Sequence, residues 1–197
     1  ISHDRTTLLW AAPLATYLYD QGNNGIGRRA RMTDTTGYAA WFYDARGQVT
    51  MTAKQIAPNS VEYVTKFGYD AANRVITTSY PGGDVVTNTF DLAGKPFSLS
   101  AGGSPIVTSA AYNALGAPTR VSFANGLDKI NRYFGLDALA GQTASYGKLR
   151  NTCVINAGQA CVESTATALF NTVYDYDKVG NLTIITDVVK SDRLNAA

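Results

Sequence analysis

Glutamate is nearly absent from this chain: Glu62 and Glu163 are the only two in 197 residues. Helical proteins use glutamate freely, so the shortage argues against a helix bundle. Histidine is limited to His3, near the start and without a local partner, which leaves imidazole-based acid–base catalysis little to work with. Charge is sparse, at 16% of residues, and nearly balanced, with 17 Lys and Arg against 15 Asp and Glu. A nucleic-acid binder held by phosphate contacts carries a basic block. The nearest approach is Arg28, Arg29 and Arg31, which read as strand-surface charges, so no nucleic-acid partner is expected. No apolar run approaches the ~20 residues that span a bilayer. The stretch Leu8 to Ala15 is interrupted by Pro13 and preceded by Asp4 and Arg5, which makes a poor signal peptide.

Turn formers and strand formers fill the gap. Gly, Asn and Asp number 18, 13 and 13, and there are 12 Tyr. Tyr, Thr and Val favour pleated, half-buried surfaces. A hydrophobic content of 45% is too high for a disordered chain. The expectation is one all-β domain over residues 1–197, with enough chain to bury a sizeable core.

A repeat organises the chain. Tyr43-Asp44-Ala45-Arg46-Gly47-Gln48-Val49 returns as Tyr69-Asp70-Ala71-Ala72-Asn73-Arg74-Val75. It returns again from Phe90-Asp91 to Gly94-Lys95, from Tyr112-Asn113 to Gly116-Ala117, and from Tyr176-Asp177 to Gly180-Asn181. An expanded copy runs from Tyr19-Asp20 to Gly27-Arg28, and a degenerate one from Leu136-Asp137 to Gly141-Gln142. In each full copy an aromatic residue ends a strand, and Asp or Asn opens a turn by accepting backbone N–H bonds. Gly, or Asn73, then supplies the left-handed residue. Pairs such as Trp41 with Tyr43 and Phe67 with Tyr69 sit two apart, on one strand face.

A second set of turns splits each repeat: Thr36-Gly37, Pro58-Asn59, Pro81-Gly82-Gly83, Gly102-Gly103 and Asn125-Gly126. Asn-Gly predicts a two-residue hairpin, and Pro-Gly a type II turn. Each repeat is therefore two strands and two turns, and the chain is a long antiparallel meander. Strands are predicted at 63–69, 74–80, 85–90 and 119–123. Residues 1–16 precede the first copy as a capping segment, with Leu8 to Trp10 a candidate strand. Residues 147–172 read as an insertion, with Ala160 to Phe170 a candidate short helix.

These Tyr-Asp-x-x-Gly-Arg copies, together with Asn24-Gly25-Ile26-Gly27-Arg28 and Met32-Thr33-Asp34, resemble the YD repeats of the Rhs family over residues 17–146 and 173–187. The resemblance implies a β-ribbon that winds into a hollow shell. In Rhs proteins and toxin-complex C subunits the shell encloses a toxic C-terminal domain, and in teneurins it serves adhesion. It implies Tyr19, Tyr43, Tyr69, Phe90, Tyr112 and Tyr176 as shell-building aromatics. It implies Asp20, Asp44, Asp70, Asp91 and Asp177 as turn acids, with Gly47, Asn73, Gly94, Gly116 and Gly180 as their left-handed partners. Asn113 departs from Asp and Asn73 from Gly, while Pro96 and Pro118 stand where Leu or Val is usual. Pro cannot donate to a ladder, so those strands begin late or leave that position exposed. There is no Asp-Pro dipeptide, so the self-cleaving region of the toxin-bearing members is missing. Seven copies are expected to be too few to close a shell. That implies a curved ribbon or open shell segment, either part of a longer chain or a short relative that assembles with copies of itself.

Chemistry candidates have plainer structural readings. Aspartates in repeat turns serve the turns, and nothing places two carboxylates across a cleft as glycoside hydrolysis requires. The turns lack EF-hand spacing and the glycine-rich nonapeptide, so no metal or cofactor is expected. Gly22-Asn23-Asn24-Gly25-Ile26-Gly27 is a wide turn and lacks the Lys-Ser or Lys-Thr of a phosphate loop. Asn181-Leu182-Thr183 matches a glycosylation sequon by chance. Cys153 and Cys161 have no nearby His for zinc, and two readings stay open: a disulfide, which would speak for an oxidising compartment, or two free thiols. Aromatic rows pack sheets, and any exposed sugar-binding row would draw on Tyr38, Trp41, Tyr80 and Tyr146.

The expected function is non-enzymatic: a structural segment of an Rhs-type shell that encapsulates or carries a toxin. The alternative is an extracellular adhesion or scaffold module binding glycans or proteins, with self-assembly through open strand edges as a further reading. Expected partners are the rest of a longer Rhs-type chain or copies of this one, a toxin cargo, and a glycan or protein ligand. The expected location is secreted or at a bacterial cell surface, with delivery by a secretion system as one route.

Overall fold

The computed structural model describes residues 14–135, 146–162 and 168–189, and the backbone of 192–195. These residues form strands and turns only. The chain divides into two compact units, residues 1–85 and 86–197.

The first unit holds β1 (Ala15–Tyr19), β2 (Arg29–Asp34), β3 (Gly37–Tyr43), β4 (Val49–Ile56), β5 (Glu62–Tyr69) and β6 (Val75–Ser79). Each strand pairs antiparallel with the next. At the boundary starts β7 (Val85–Phe90). The second unit continues with β8 (Pro96–Ala101), β9 (Ser104–Tyr112), β10 (Pro118–Phe123), β11 (Leu127–Tyr133), β12 (Leu149–Asn156), β13 (Phe170–Tyr176), β14 (Leu182–Asp187) and β15 (Asp192–Asn195). From β7 onward these also pair in chain order and antiparallel. The expected all-β meander is therefore present in both units, and the predicted strands match β5, β6, β7 and β10 to within a residue at each end.

Two turn types differ from expectation. At Asn125-Gly126 only the glycine is left-handed (φ 80), and the Gly126 N–H bonds the Phe123 carbonyl at 3.1 Å. At Pro81-Gly82-Gly83 the left-handed residue is Gly83, whose N–H bonds the Tyr80 carbonyl at 3.0 Å. Both are three-residue hairpins closed by a glycine bulge, a geometry that suits strand twist better than a plain type II turn. Gly102-Gly103, with φ of 56 and 81, is a two-residue hairpin between Ala101 and Ser104.

Within residues 147–172, β12 (Leu149–Asn156) and the start of β13 join the ladder, and the described residues 157–162, Ala168 and Leu169 lie outside it. Ala160, Cys161 and Val162 are irregular, Ala168 and Leu169 bend, and Phe170 opens β13, so these parts of the Ala160–Phe170 stretch are not helical. The remainder of that stretch lies outside the described residues, as do His3, Leu8 to Trp10 and Glu163.

Burial is uneven. In the first unit Ala53 is the one buried hydrophobic residue among those described. In the second, Cys153, Ile155, Cys161 and Ala168 form a small core with Ile130 packed against it. Most strand residues elsewhere are half-buried, and no sizeable core forms among the described residues. A sheet covers its apolar face only where another element lies on it. Among the described residues, Cys161 and Ala168 supply such a cover over β12.

Candidate functional site

The repeat turn is the feature this chain builds most consistently. In five copies the first residue of the turn takes the same set of bonds. The Asp44 N–H donates to the Gln48 carbonyl at 2.9 Å, and the Gly47 N–H to the Asp44 carbonyl at 3.0 Å. The same pair of bonds closes the turns at Asp70, Asp91, Asn113 and Asp177. The side-chain Oδ1 then accepts backbone N–H groups from inside the turn: from Arg46 and Gln48 on Asp44, from Ala72 and Arg74 on Asp70, from Leu115 and Ala117 on Asn113, and from Val179 and Asn181 on Asp177. On Asp91 the donor is Lys95. The fourth residue is left-handed in each: Gly47 (φ 83), Asn73 (φ 65), Gly94 (φ 80), Gly116 (φ 83) and Gly180 (φ 91). Asn73 tolerates this region better than other side-chain-bearing residues. Its Oδ1 also accepts a bond from the Arg46 guanidinium at 3.1 Å.

Beside each turn the pairing skips one residue of the following strand. Phe42 faces Met51 but Tyr43 faces Val49, and the same skip recurs at seven aromatics: Tyr19, Tyr43, Tyr69, Phe90, Tyr112, Tyr133 and Tyr176. Such bulges re-aim a side chain. Here five tyrosine hydroxyls reach a backbone carbonyl one repeat earlier: Tyr43 to Arg29 (2.8 Å), Tyr69 to Val49 (2.7 Å), Tyr112 to Pro96 (2.6 Å), Tyr133 to Pro118 (2.9 Å) and Tyr176 to Leu149 (2.9 Å). The basic residue after the glycine caps the ring in three of them, Arg28 over Tyr43, Lys95 over Tyr112 and Lys148 over Tyr176, at 5.0–5.7 Å from the centroid. Pro96 and Pro118 sit at the first strand position, where their carbonyls serve these hydroxyls.

One copy moves. The structure places the sixth repeat at Tyr133-Phe134, closed by Gly147-Lys148-Leu149. The Phe134 N–H bonds the Lys148 carbonyl at 3.0 Å, and the Gly147 N–H bonds the Phe134 carbonyl at 2.9 Å. The Leu136 to Gln142 match lies outside the described residues, within this expanded turn. Two features hid the copy: the added residues, and Phe134 in the place of Asp. The Phe134 ring is buried edge-on against Tyr176, 6.0 Å away and 81° inclined. The Gly-Lys-Leu triplet was the readable signal. Tyr19 has no earlier repeat in the described chain to bond, and it is half-exposed. Its Asp20 holds the expanded first turn by accepting the Gly27 N–H.

The electrostatics follow from these bonds. The backbone N–H of Arg74 lowers the Asp70 carboxyl below its ordinary range, and that of Asn181 does the same for Asp177. The Thr36 hydroxyl and N–H lower Asp34. Burial raises the Tyr69 and Tyr176 phenols. Lowered carboxylates stabilise the fold above their unfolded pKa, and that contribution is lost as pH falls through the folded value. Asn113 is the exception that tests the turn: its Nδ2 is buried without a hydrogen-bond partner. Asn113→Asp makes the two backbone bonds from Leu115 and Ala117 charge-assisted, as they are at Asp44 and Asp70, and is expected to raise stability at pH 7 by about 1 kcal/mol. In urea unfolding the gain should shrink at about pH 3, because the unfolded chain's carboxyl binds a proton there while the turn holds the folded one ionised. A gain of equal size at both pH values, or none, refutes this account of the turn.

Two of the aromatics expected in an exposed row are capped by guanidinium groups. Arg29 lies 4.0 Å from the Trp41 centroid and Arg31 3.9 Å from that of Tyr38. Tyr38 also donates to Glu62 at 2.5 Å. Tyr80 and Tyr146 are half-exposed. Cys153 and Cys161 are joined in a disulfide. Among the described residues no group of His, Cys, Asp and Glu is gathered for a metal, and no helix is long and apolar enough to cross a membrane.

No known protein family and no curated protein sequence matches the chain. Solved structures do. A TcdB2-TccC3 complex matches with a TM-score of 0.72 at 19% identity, over 88% of this chain and 9% of that one. A TcdB2-TccC3-TEV structure gives 0.70 at 20% identity, and the Photorhabdus luminescens Tc holotoxin pore 0.70 at 19%, each again over 88% of this chain and 9% of the other. The chain thus spans a small share of the length of the chains it matches, and its fold is similar to one stretch of these Tc toxin complexes.

Proposed function

We propose that this chain is a non-enzymatic structural segment of an Rhs-type shell that encloses or carries a toxin domain. The observation that carries the reading is the fold likeness to a stretch of the Tc toxin complex chains. The repeat turn agrees with it. Five repeat tyrosines are tied to the backbone one repeat back, so the module lengthens by addition without new chemistry, as a wall requires. The chain's work is then geometric, and its partners are further repeats and the enclosed domain. A buried disulfide suits a protein secreted by a bacterium or held at its surface.

The test is cryo-electron microscopy of the natural full-length product. A wall of repeat strands continuous with this segment and surrounding separate density is the expected result. A product whose repeats enclose nothing overturns the shell. The glycan-binding alternative gains no support from Tyr38 and Trp41, because a guanidinium lies over each ring where a sugar would stack.

A further inference from the structure

The first repeat turn is enlarged, and the enlargement makes a pocket. Compact turns in this chain place three residues between the acid and the strand-starting basic or polar residue; here Gln21 to Gly27 stand between Asp20 and Arg28. The added loop is ordered. Asn24 and Gly27 adopt left-handed φ of 59 and 74. Gly25 is buried, and a Cβ there would strike the Gln21 backbone. Asn24 Nδ2 donates to the Tyr43 carbonyl at 3.2 Å, and the Arg28 guanidinium donates to the Asn24 carbonyl at 2.9 Å. Loops inserted into a repeat commonly carry binding function.

Held in this way, the loop walls a pocket of about 280 Å³ with β1, β2 and β3. One side is apolar, formed by Leu18, Ala40 and Phe42, and Leu18 and Phe42 are about half-exposed. The other side carries Gln21, Asn23 and Arg31. Arg31 is exposed, stacks on Tyr38 at 3.9 Å, and has no carboxylate partner among the described residues. Stacking holds the guanidinium in place before any ligand arrives, which lowers the entropy lost on binding. The Gln21 and Asn23 side-chain amides have no hydrogen-bond partner among the described residues.

We propose that this pocket binds a small organic carboxylate with an apolar body about the size of one amino-acid residue. The apolar body lies against Leu18 and Phe42. The carboxylate takes a charge-assisted bond from Arg31 and neutral bonds from the two amides. A single guanidinium beside an apolar wall suits one negative charge better than a doubly charged phosphate. The shell reading plays no part in this inference, so either can fail alone.

The test is a nuclear magnetic resonance titration of the 15N-labelled chain with 3-phenylpropionate, its neutral amide 3-phenylpropionamide, and phenyl phosphate. The acid should produce saturable shifts at the Gln21 and Asn23 side-chain amides and at Phe42. The amide should bind roughly tenfold more weakly, since one charge-assisted bond is lost. Arg31→Gln should bring the acid down to the level of the amide. Lys54→Gln, which removes a positive charge on β4 outside this pocket, should leave acid binding intact. Equal binding of acid and amide, an unaffected Arg31→Gln variant, or no saturable shift up to about 20 mM overturns the site. Tighter binding of phenyl phosphate overturns the carboxylate assignment.

Discussion

Replacing Cys153 and Cys161 together by alanine is expected to lower stability by about 2–5 kcal/mol, as removal of a native disulfide does from small domains. The bridge closes a short loop, with a sequence separation of 8. On the chain-entropy model, closing a loop of that size contributes about 2–3 kcal/mol. The rest comes from packing. Both cysteines are at most 1% exposed, and with Ile155 and Ala168 they make up the buried core. Among the described residues beside it, the Leu169 N–H bonds the Val154 carbonyl, the Ala157 N–H that of Gly126, and Asn171 Nδ2 that of Val162. Urea unfolding of the oxidised protein and the double-alanine variant measures the loss. Hydrogen exchange should show it first in β12 and residues 157–162. A midpoint unchanged by the substitution sinks the prediction, and so does titration of two free thiols in unfolded, unreduced protein.

Arg120→Met should cost about 1–3 kcal/mol at pH 7, because it strands a buried charge. Asp128 is 1% exposed and pairs with the Arg120 guanidinium. That bond, aided by the Ser122 hydroxyl and the Gly158 N–H, holds its carboxyl below the ordinary range despite burial. The pair stabilises the fold above the unfolded pKa of aspartate and loses this contribution as pH falls through the lowered value. In the variant, burial pushes the carboxyl up instead. The gap between wild type and variant should therefore be widest near neutral pH and should narrow at about pH 3, where a protonated Asp128 no longer needs the cation. Adding Asp128→Asn should recover part of the loss. Equal gaps at both pH values, read from urea midpoints, would count against the pair.

The repeat was open to reading because its bonds are local. Asp44 accepts N–H groups two and four residues ahead, and Gly47 turns left-handed three residues on, so one short string holds both the residue types and the geometry. The same locality explains the turns that were misjudged. Asn125-Gly126 and Pro81-Gly82-Gly83 contain the right residues, but the twist of the flanking strands selects which of them carries the positive φ. The copy at Tyr133 was missed because its halves are separated by an expanded turn, and because Phe134 satisfies the position by ring packing where others use a carboxylate. The burial of Asn151 and Asn171, whose amides bond each other at 2.6 Å, carries no local signature.

Local string and period specified the strand order, the alternation of two kinds of turn, and the aromatic, the Asp or Asn and the left-handed residue of the compact repeats. These rest on contacts within a few residues, or on pairing between chain neighbours, which a meander makes unavoidable. Where the tyrosine hydroxyls end, which acid is buried with Arg120, and which loop encloses a pocket depended on bulges and on packing between residues far apart in the chain. A bulge shifts every later side chain relative to its neighbours. Burial is set by what happens to lie on the other side of the sheet. A scarcity of glutamate and an abundance of turn formers therefore foretold a ribbon. The small core under Cys161 and the pocket beside Arg31 came from folding two short insertions back onto it.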